Sequence, residues 1–356
     1  MSAPWIVTLD DPAAAEVALV GGKGAGLHRL MALGARVPAG FVVTTAAFAA
    51  AAAAPEDIEA PLLALSDDAP VDAVEQAAAH ARALLTDAVR TAAAQGDVPV
   101  LDAIRAVYRE LGGVPVGDGA AISDAAGASD PPVAVRSSAA AEDAADASYA
   151  GEHDSYLDVV GVDAVADAVV DCWASLYTAR AVAYRRGRPA GAMAVVVQRM
   201  VDARAAGVFM TLNPANGDRA TFVCEAVWGL GEPLVSGTVT PDRFAVNKIS
   251  GEVVRREITH KPTRLGRSGI EPVPEAERDA PCLTDDQLTE LVRIGRAVET
   301  AAGCPQDGEF AVDDEGVHLL QARPETVWSR RPRTVARGRT ALEAVLATLT
   351  GGHDAR

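Results

Sequence analysis

QDGEFAVDDEGVHLLQARPE, from Gln306 to Glu325, alternates apolar and polar side chains on both sides of a short turn signal. Alternation broken by a Gly-containing turn reads as two β-strands joined in a hairpin. On the first strand Asp307 and Glu309 face one way, Phe310 and Val312 the other. On the second, Gln321 and Arg323 share a face and Leu320 and Ala322 point opposite. A three-residue loop, Asp314-Glu315-Gly316 with Gly316 at the left-handed position, pairs residue 313 with 317. Counting back, Glu309 opposes Gln321 and Asp307 opposes Arg323. Directly opposed residues have Cβ atoms about 4.5–5.5 Å apart. Two side-chain oxygens at that spacing suit one hard cation, with an arginine beside them for an anion. A surface hairpin with a cross-strand Asp–Arg pair fits the same pattern, so the rest of the chain must separate the two.

The 356 residues allow two domains of ordinary size. With 49% hydrophobic and 23% charged residues, the composition is that of a globular protein, not a disordered or fibrous one. A net charge of −17 argues against a nucleic-acid partner, which needs a basic footprint. An anionic ligand would have to be drawn in by local clusters of cations. Cys172, Cys224, Cys282 and Cys304 lie far apart, without metal-ligand spacing, and read as reduced thiols of a cytosolic protein. The first basic residue is Lys23, so no signal peptide is expected, and the Ala46–Ala54 run is too short for a membrane span. A cytoplasmic location is expected.

Three further stretches carry candidate chemistry. WIVTL (5–9) reads as a strand, and the turn GGKGAG (21–26) precedes a helix running to about Leu33. A glycine-rich turn opening a helix offers backbone N–H groups and a positive dipole end to an anion, and Lys23 adds a charge. A plain helix entry with a solvated lysine has the same appearance. VPAGFVVTTAAF (37–48) reads as turn, strand and a helix capped by Thr44 or Thr45. Helical scaffold follows to Leu111, with Ala77, Ala81, Leu84, Leu85 and Val89 inward, and then a Gly/Pro/Asp/Ser loop, 112–132.

A buried strand from Val133 delivers Arg136, Ser137 and Ser138 into a loop of small residues. A guanidinium there suits a phosphate, although an arginine after a strand is also a common salt-bridge partner. A helix is expected over 163–185, with Val165, Val169, Trp173, Leu176 and Tyr177 buried. MAVVVQRMV (193–201) reads as a buried strand, and the backbone of Arg199–Val201 at its exit is placed to clamp an adenine. More strands follow at 206–214, 220–231 and 242–248, and then a helix, Thr284 to Thr300, capped by Thr284. The shift to strands puts a lobe boundary near residue 190: an N-terminal lobe over 1–190, a C-terminal lobe over 191–328, and a basic tail over 329–356.

Taken in order, GGKGAGL, VPAGF, RSSAAAEDAADASYAGEHDSYLDV, VQRMV, GVFMTLNP, EAVWGLGEPLVSGTVTPD and DGEF…LLQARPETV resemble the N-terminal ATP-binding domain of the phosphoenolpyruvate synthase and pyruvate phosphate dikinase family. Rifampin phosphotransferase carries the same domain, and the likeness covers roughly residues 5–328. It implies an α+β, ATP-grasp-like fold of two lobes closing on a nucleotide. It also implies that Lys23 and Arg136 contact the ATP phosphates, that Glu309 and Gln321 hold Mg²⁺, and that Arg323 sits on the γ-phosphate with Asp307 beside the metal. Gln198 and the backbone near Met200 and Val201 would lie along the adenine.

Two departures qualify this expectation. Where the family usually has RSSAT, the fifth residue here is Ala140, so a hydroxyl near the phosphates is missing. One lost hydrogen bond to a charged group is worth about 1.5–3 kcal/mol, enough to slow transfer without abolishing binding. In addition, none of the six histidines lies in the Gly-Gly, Cys/Ser-His motif of the family's phosphohistidine domain, and His153 reads as a loop residue. The expectation is therefore an ATP-dependent phosphotransferase subunit served by a separate chain with swivelling phosphohistidine and acceptor-binding domains. A non-catalytic nucleotide-binding regulatory module and a stand-alone ATP-grasp kinase or ligase remain as alternatives.

Overall fold

The computed structural model describes residues 3–52, 55–66, 69–96, 98–113, 130–139, 154–185 and 188–329. Most of the 112–132 loop, Ala140, His153 and the basic tail beyond Ser329 lie outside the described residues.

In chain order the first elements are β1 (Ile6–Thr8), α1 (Val17–Ala32), β2 (Gly40–Val43), α2 (Thr45–Ala51), α3 (Pro55–Leu63), α4 (Val71–Ala94) and α5 (Pro99–Leu111). Then come β3 (Val133–Ala139), β4 (Ser155–Val159), α6 (Val162–Ala174), α7 (Ala179–Arg185) and β5 (Met193–Arg199). The rest is β6 (Ala205–Met210), β7 (Thr221–Trp228), α8 (Glu232–Val235), β8 (Asp242–Asn247), β9 (Val253–Glu257), β10 (Thr263–Gly266), β11 (Gly269–Pro272), α9 (Asp285–Ala302), β12 (Gln306–Asp313) and β13 (Gly316–Pro324).

The chain is α+β, and its described residues form two large antiparallel sheets of order β1-β2-β5-β3-β4 and β13-β12-β6-β7-β8-β9 and a small one of β10 and β11. Alternation along buried strands sends side chains to two different cores. Phe41, Val43, Val195 and Val197 pack under the helical layer of α2, α4, α5 and α6, around Trp173. Val42, Ala194 and Val196, on the other face, pack with Leu19, Leu27 and Leu30 of α1 and with Phe209, Phe222 and Phe310 of the second sheet. Helix α1 thus shares one core with both sheets.

Several expectations shift here. The buried strand β5 belongs to the first sheet, between β2 and β3, so the chain passes to the second sheet between Arg199 and Ala205, later than the boundary near residue 190. Composition could not show this, because a strand buried on both faces looks the same in either sheet. The helix expected over 163–185 is interrupted at Thr178, whose extended backbone (ψ 148°) and Oγ1, accepting from the Ala181 N–H at 3.2 Å, start α7 anew. Leu84, expected inward, is 37% exposed, while Ala81, Leu85 and Val89 are buried. Thr44 caps α2, and Thr284 forms a capping box with Gln287 at the start of α9.

Helix α1 begins at Val17, ahead of the glycine turn, and is broken at Gly21 (φ 70°, ψ 177°). A Cβ on Gly21 would lie 1.9 Å from the Ser138 carbonyl oxygen, so both the positive φ and the close approach require glycine.

Candidate functional site

The hairpin β12–β13 pairs Glu309 with Gln321 and Asp307 with Arg323, as the spacing predicts, but by another route. The turn is one residue tighter than expected, since Asp313 pairs with Gly316 (φ 123°) and Val312 with Val317. The register then slips between Phe310, opposite Leu319, and Glu309, opposite Gln321, leaving Leu320 as the extra residue of a β-bulge. The loop error and the missed bulge cancel in the count. The bulge matters in itself, because it re-aims the backbone at this point. The Leu320 carbonyl accepts a hydrogen bond from Arg136 Nη1 at 3.1 Å.

Arg136 reaches across from β3 of the first sheet. Its Nη2 donates to Glu309 Oε2 at 3.0 Å and to Gln321 Oε1 at 2.6 Å, and its side chain is only 14% exposed. One guanidinium therefore joins residues 173 positions apart in sequence and ties the two sheets together. A carboxylate and an amide oxygen converging on a single cationic nitrogen are the donor types that suit a hard cation. Among the described residues no group of three or more His, Cys, Asp or Glu is placed to hold a metal. A divalent ion at this point would therefore need oxygens from a bound oxyanion as well.

Beside this junction opens a cleft of about 760 Å³. Its lining includes Arg136 and Glu309, Tyr156 and Leu157 of β4, and Gln198, Met200 and Val201 around the exit of β5. Gly207 lies in the floor, where a Cβ would come within 2.1 Å of the Glu225 carbonyl oxygen and 2.7 Å of the Phe310 ring. Gln198 is buried, and its Nε2 donates to the Pro38 carbonyl at 3.3 Å. The Met200 N–H donates to the Pro132 carbonyl at 2.9 Å. Among the described residues no partner stands opposite the Val201 N–H.

Lys23, Asp307, Gln321 and Arg323 are not among the residues that line the cleft. Arg323 Nε donates to Asp307 Oδ1 at 2.7 Å. Burial pushes the Asp307 carboxyl above its ordinary range and the adjacent Glu309 and Glu325 act the same way, while the Arg323 guanidinium opposes the shift. Lys23 is half-buried in α1, two residues past the Gly21 kink. This part of α1 packs on β13: an ideal Cβ on Gly26 would be 3.7 Å from the Ala322 carbonyl oxygen.

The two hydroxyls expected near phosphates are placed otherwise, because β3 continues to Ala139 and buries both Ser137 and Ser138. Ser138 Oγ donates to the Val20 carbonyl at 2.8 Å and accepts from the Gly24 N–H at 3.1 Å, stitching the glycine turn to the sheet. Sequence reasoning missed the Leu320 carbonyl, for which backbone offers no side-chain signal. It also passed over Tyr156, although the residue stands in a block already quoted.

A cleft lined by residues of both sheets, with a guanidinium held by a carboxylate and an amide oxygen in its lining, has the size and polar groups of a small-molecule site. Residues 17–343 match the pyruvate phosphate dikinase AMP/ATP-binding domain, and the chain belongs to that family. A rifampicin phosphotransferase of a Streptomyces species is 42% identical over 342 residues, covering 92% of this chain and 36% of the relative. A phosphoenolpyruvate synthase of Aeropyrum pernix is 34% identical over 367 residues, covering 92% of this chain and 43% of the relative. A prodigiosin-synthesizing transferase of Serratia marcescens is 48% identical over 204 residues, covering 56% and 23%. The chain spans less than half the length of each. No helix among the described residues is long and apolar enough to cross a membrane.

Proposed function

We propose that this chain binds Mg·ATP in the cleft and starts phosphoryl transfer to a histidine on a separate chain that carries swivelling phosphohistidine and acceptor-binding domains, as in phosphoenolpyruvate synthase. The two sheets are the bases of two ATP-grasp-like lobes that close on the nucleotide, divided between Arg199 and Ala205. The single observation that carries this reading is Arg136, held by Glu309 and Gln321 of the opposite sheet in the lining of the cleft.

In this reading the adenine lies along Gln198, Met200 and Val201, with the Val201 N–H as the donor to its edge. The phosphates extend past Arg136 toward Arg323 and Lys23. Glu309 and Gln321 would hold Mg²⁺, and Arg136 would grip the phosphates. The ion, when bound, neutralises charge on the phosphoryl oxygens. The chain's own part is positioning and charge: Arg136 and Arg323 grip oxygens in fork geometry, and Lys23 adds a point charge. ATP, one water and the histidine yield AMP, inorganic phosphate from the γ-phosphoryl group, and a phosphohistidine that carries the β-phosphoryl.

Calorimetry with Mg·ATP tests the binding: the wild type should bind, and Glu309→Ala should weaken binding by at least about tenfold, the value of one good charge-assisted contact. A wild-type chain that takes up no nucleotide refutes the reading. With a histidine domain supplied, AMP should be the product. ADP would point to a stand-alone kinase or ligase, and binding without turnover to a regulatory module.

A further inference from the structure

The hairpin presents two carboxylates on one face, Asp307 and Glu309, and they are engaged differently. Glu309 meets the guanidinium of the opposite sheet, whereas Asp307 meets the arginine directly across its own ladder. The contact is specific: Asp307 Oδ1 accepts from Nε of Arg323 at 2.7 Å. A carboxylate on Nε fixes the plane of a guanidinium and its place along the strand. The fork-shaped edge made by the two Nη groups belongs to the same rigid plane and is thereby aimed. Both partners sit on paired strands, with Asp307 also paired to Met210 of β6, so backbone ladders hold the carboxylate from both sides. Arg323 is 40% exposed and Asp307 24%, which places the contact at the edge of the site and not deep in the core.

We propose that Asp307 is a positioning residue that orients Arg323 toward the terminal phosphate of the nucleotide, and not a ligand of the metal ion. This rests on the nucleotide site proposed above. Asp307 thus has a different role from Glu309, although the two look equivalent in sequence.

The test compares ATP and AMP binding in the wild type and in Asp307→Asn, Asp307→Ala, Arg323→Ala and the Asp307→Ala/Arg323→Ala double variant, with folding checked by circular dichroism. Asp307→Ala should weaken ATP binding about tenfold or more, the value of one contact to a charged group, and leave AMP binding unchanged. Asp307→Asn keeps an oxygen acceptor for Nε and should lose less. In the Arg323→Ala background, Asp307→Ala should add no further loss, the signature of a residue that acts through its neighbour. An equal loss in both backgrounds overturns the proposal, since Asp307 would then act on the nucleotide or its metal directly. Parallel losses for ATP and AMP, or a lost fold, also overturn it by showing a merely structural role. If Arg323→Ala and Arg136→Ala both leave ATP binding intact, the site itself is misplaced, a failure distinct from the one that concerns Asp307.

Discussion

Replacing Arg136 with alanine removes three hydrogen bonds at once, to Glu309 Oε2, Gln321 Oε1 and the Leu320 carbonyl. Two consequences can be sized. Losing one partner of a charged contact costs about 1.5–3 kcal/mol when the group left behind is buried. Here Glu309 is 38% exposed, so water takes over much of the guanidinium's role. The net loss of stability should be about 1–2 kcal/mol, a fall of a few degrees in melting temperature for a chain of this size. The second consequence is a gain. With the guanidinium gone, Glu309 and Gln321 are open to a divalent cation without nucleotide, so the nucleotide-free variant should bind Mn²⁺ more tightly than the wild type. ATP affinity should fall by at least about tenfold. Arg136→Lys keeps the charge, but a single ammonium cannot span the same acceptors, so it should recover stability in part and ATP binding hardly at all. Differential scanning calorimetry and Mn²⁺ titration followed by electron paramagnetic resonance measure both effects. If Arg136→Ala melts with the wild type and takes up Mn²⁺ no more readily, the junction does not hold the two sheets as argued.

Other perturbations have equally definite outcomes. Gly21→Ala forces a side chain into a positive-φ position (φ 70°) against the Ser138 carbonyl, and it should lower stability by more than the roughly 1–2 kcal/mol of the backbone term alone, read by urea unfolding. Lys261 and Asp242 form a buried pair at 2.6 Å, with Asp242 also accepting from the Thr259 and Cys282 N–H groups. Lys261→Met leaves that carboxylate without its cation and should cost about 3–5 kcal/mol, whereas a loss below about 1 kcal/mol would contradict the burial argument. Glu325 is buried, which works to raise its pKa, but hydrogen bonds from the Trp328, Ser329 and Val327 N–H groups and the Ser329 hydroxyl outweigh this and hold it below the ordinary glutamate value of 4.5. A depressed folded pKa means that its stabilisation is present above that value and is lost as pH falls through the folded pKa. Acid titration should therefore shift the Trp328 indole N–H resonance, whose donor bond to the Pro214 carbonyl is 2.8 Å, and Glu325→Gln should abolish that titration.

What could be read from sequence was local. The hairpin, the Thr44 and Thr284 caps and the buried strand β5 announce themselves through side-chain period and capping chemistry within a few residues. The partners Glu309–Gln321 and Asp307–Arg323 came out right only because a loop counted one residue too long offset the bulge. The bulge at Leu320 was invisible, because inserting one residue leaves the alternation on either side intact.

Contacts over long separations were not legible. That β5 lies between β2 and β3, that Ser138 ties down the glycine turn, and that Arg136 closes on Glu309 all depend on how distant segments pack. The sequence by itself determined most of the elements and the facing of the hairpin, and it named residues whose chemistry suits an anion or a cation. Only the tertiary structure decided which of them meet, because hydrogen-bonding groups far apart in the chain are brought together by burial of the two cores and not by any local preference.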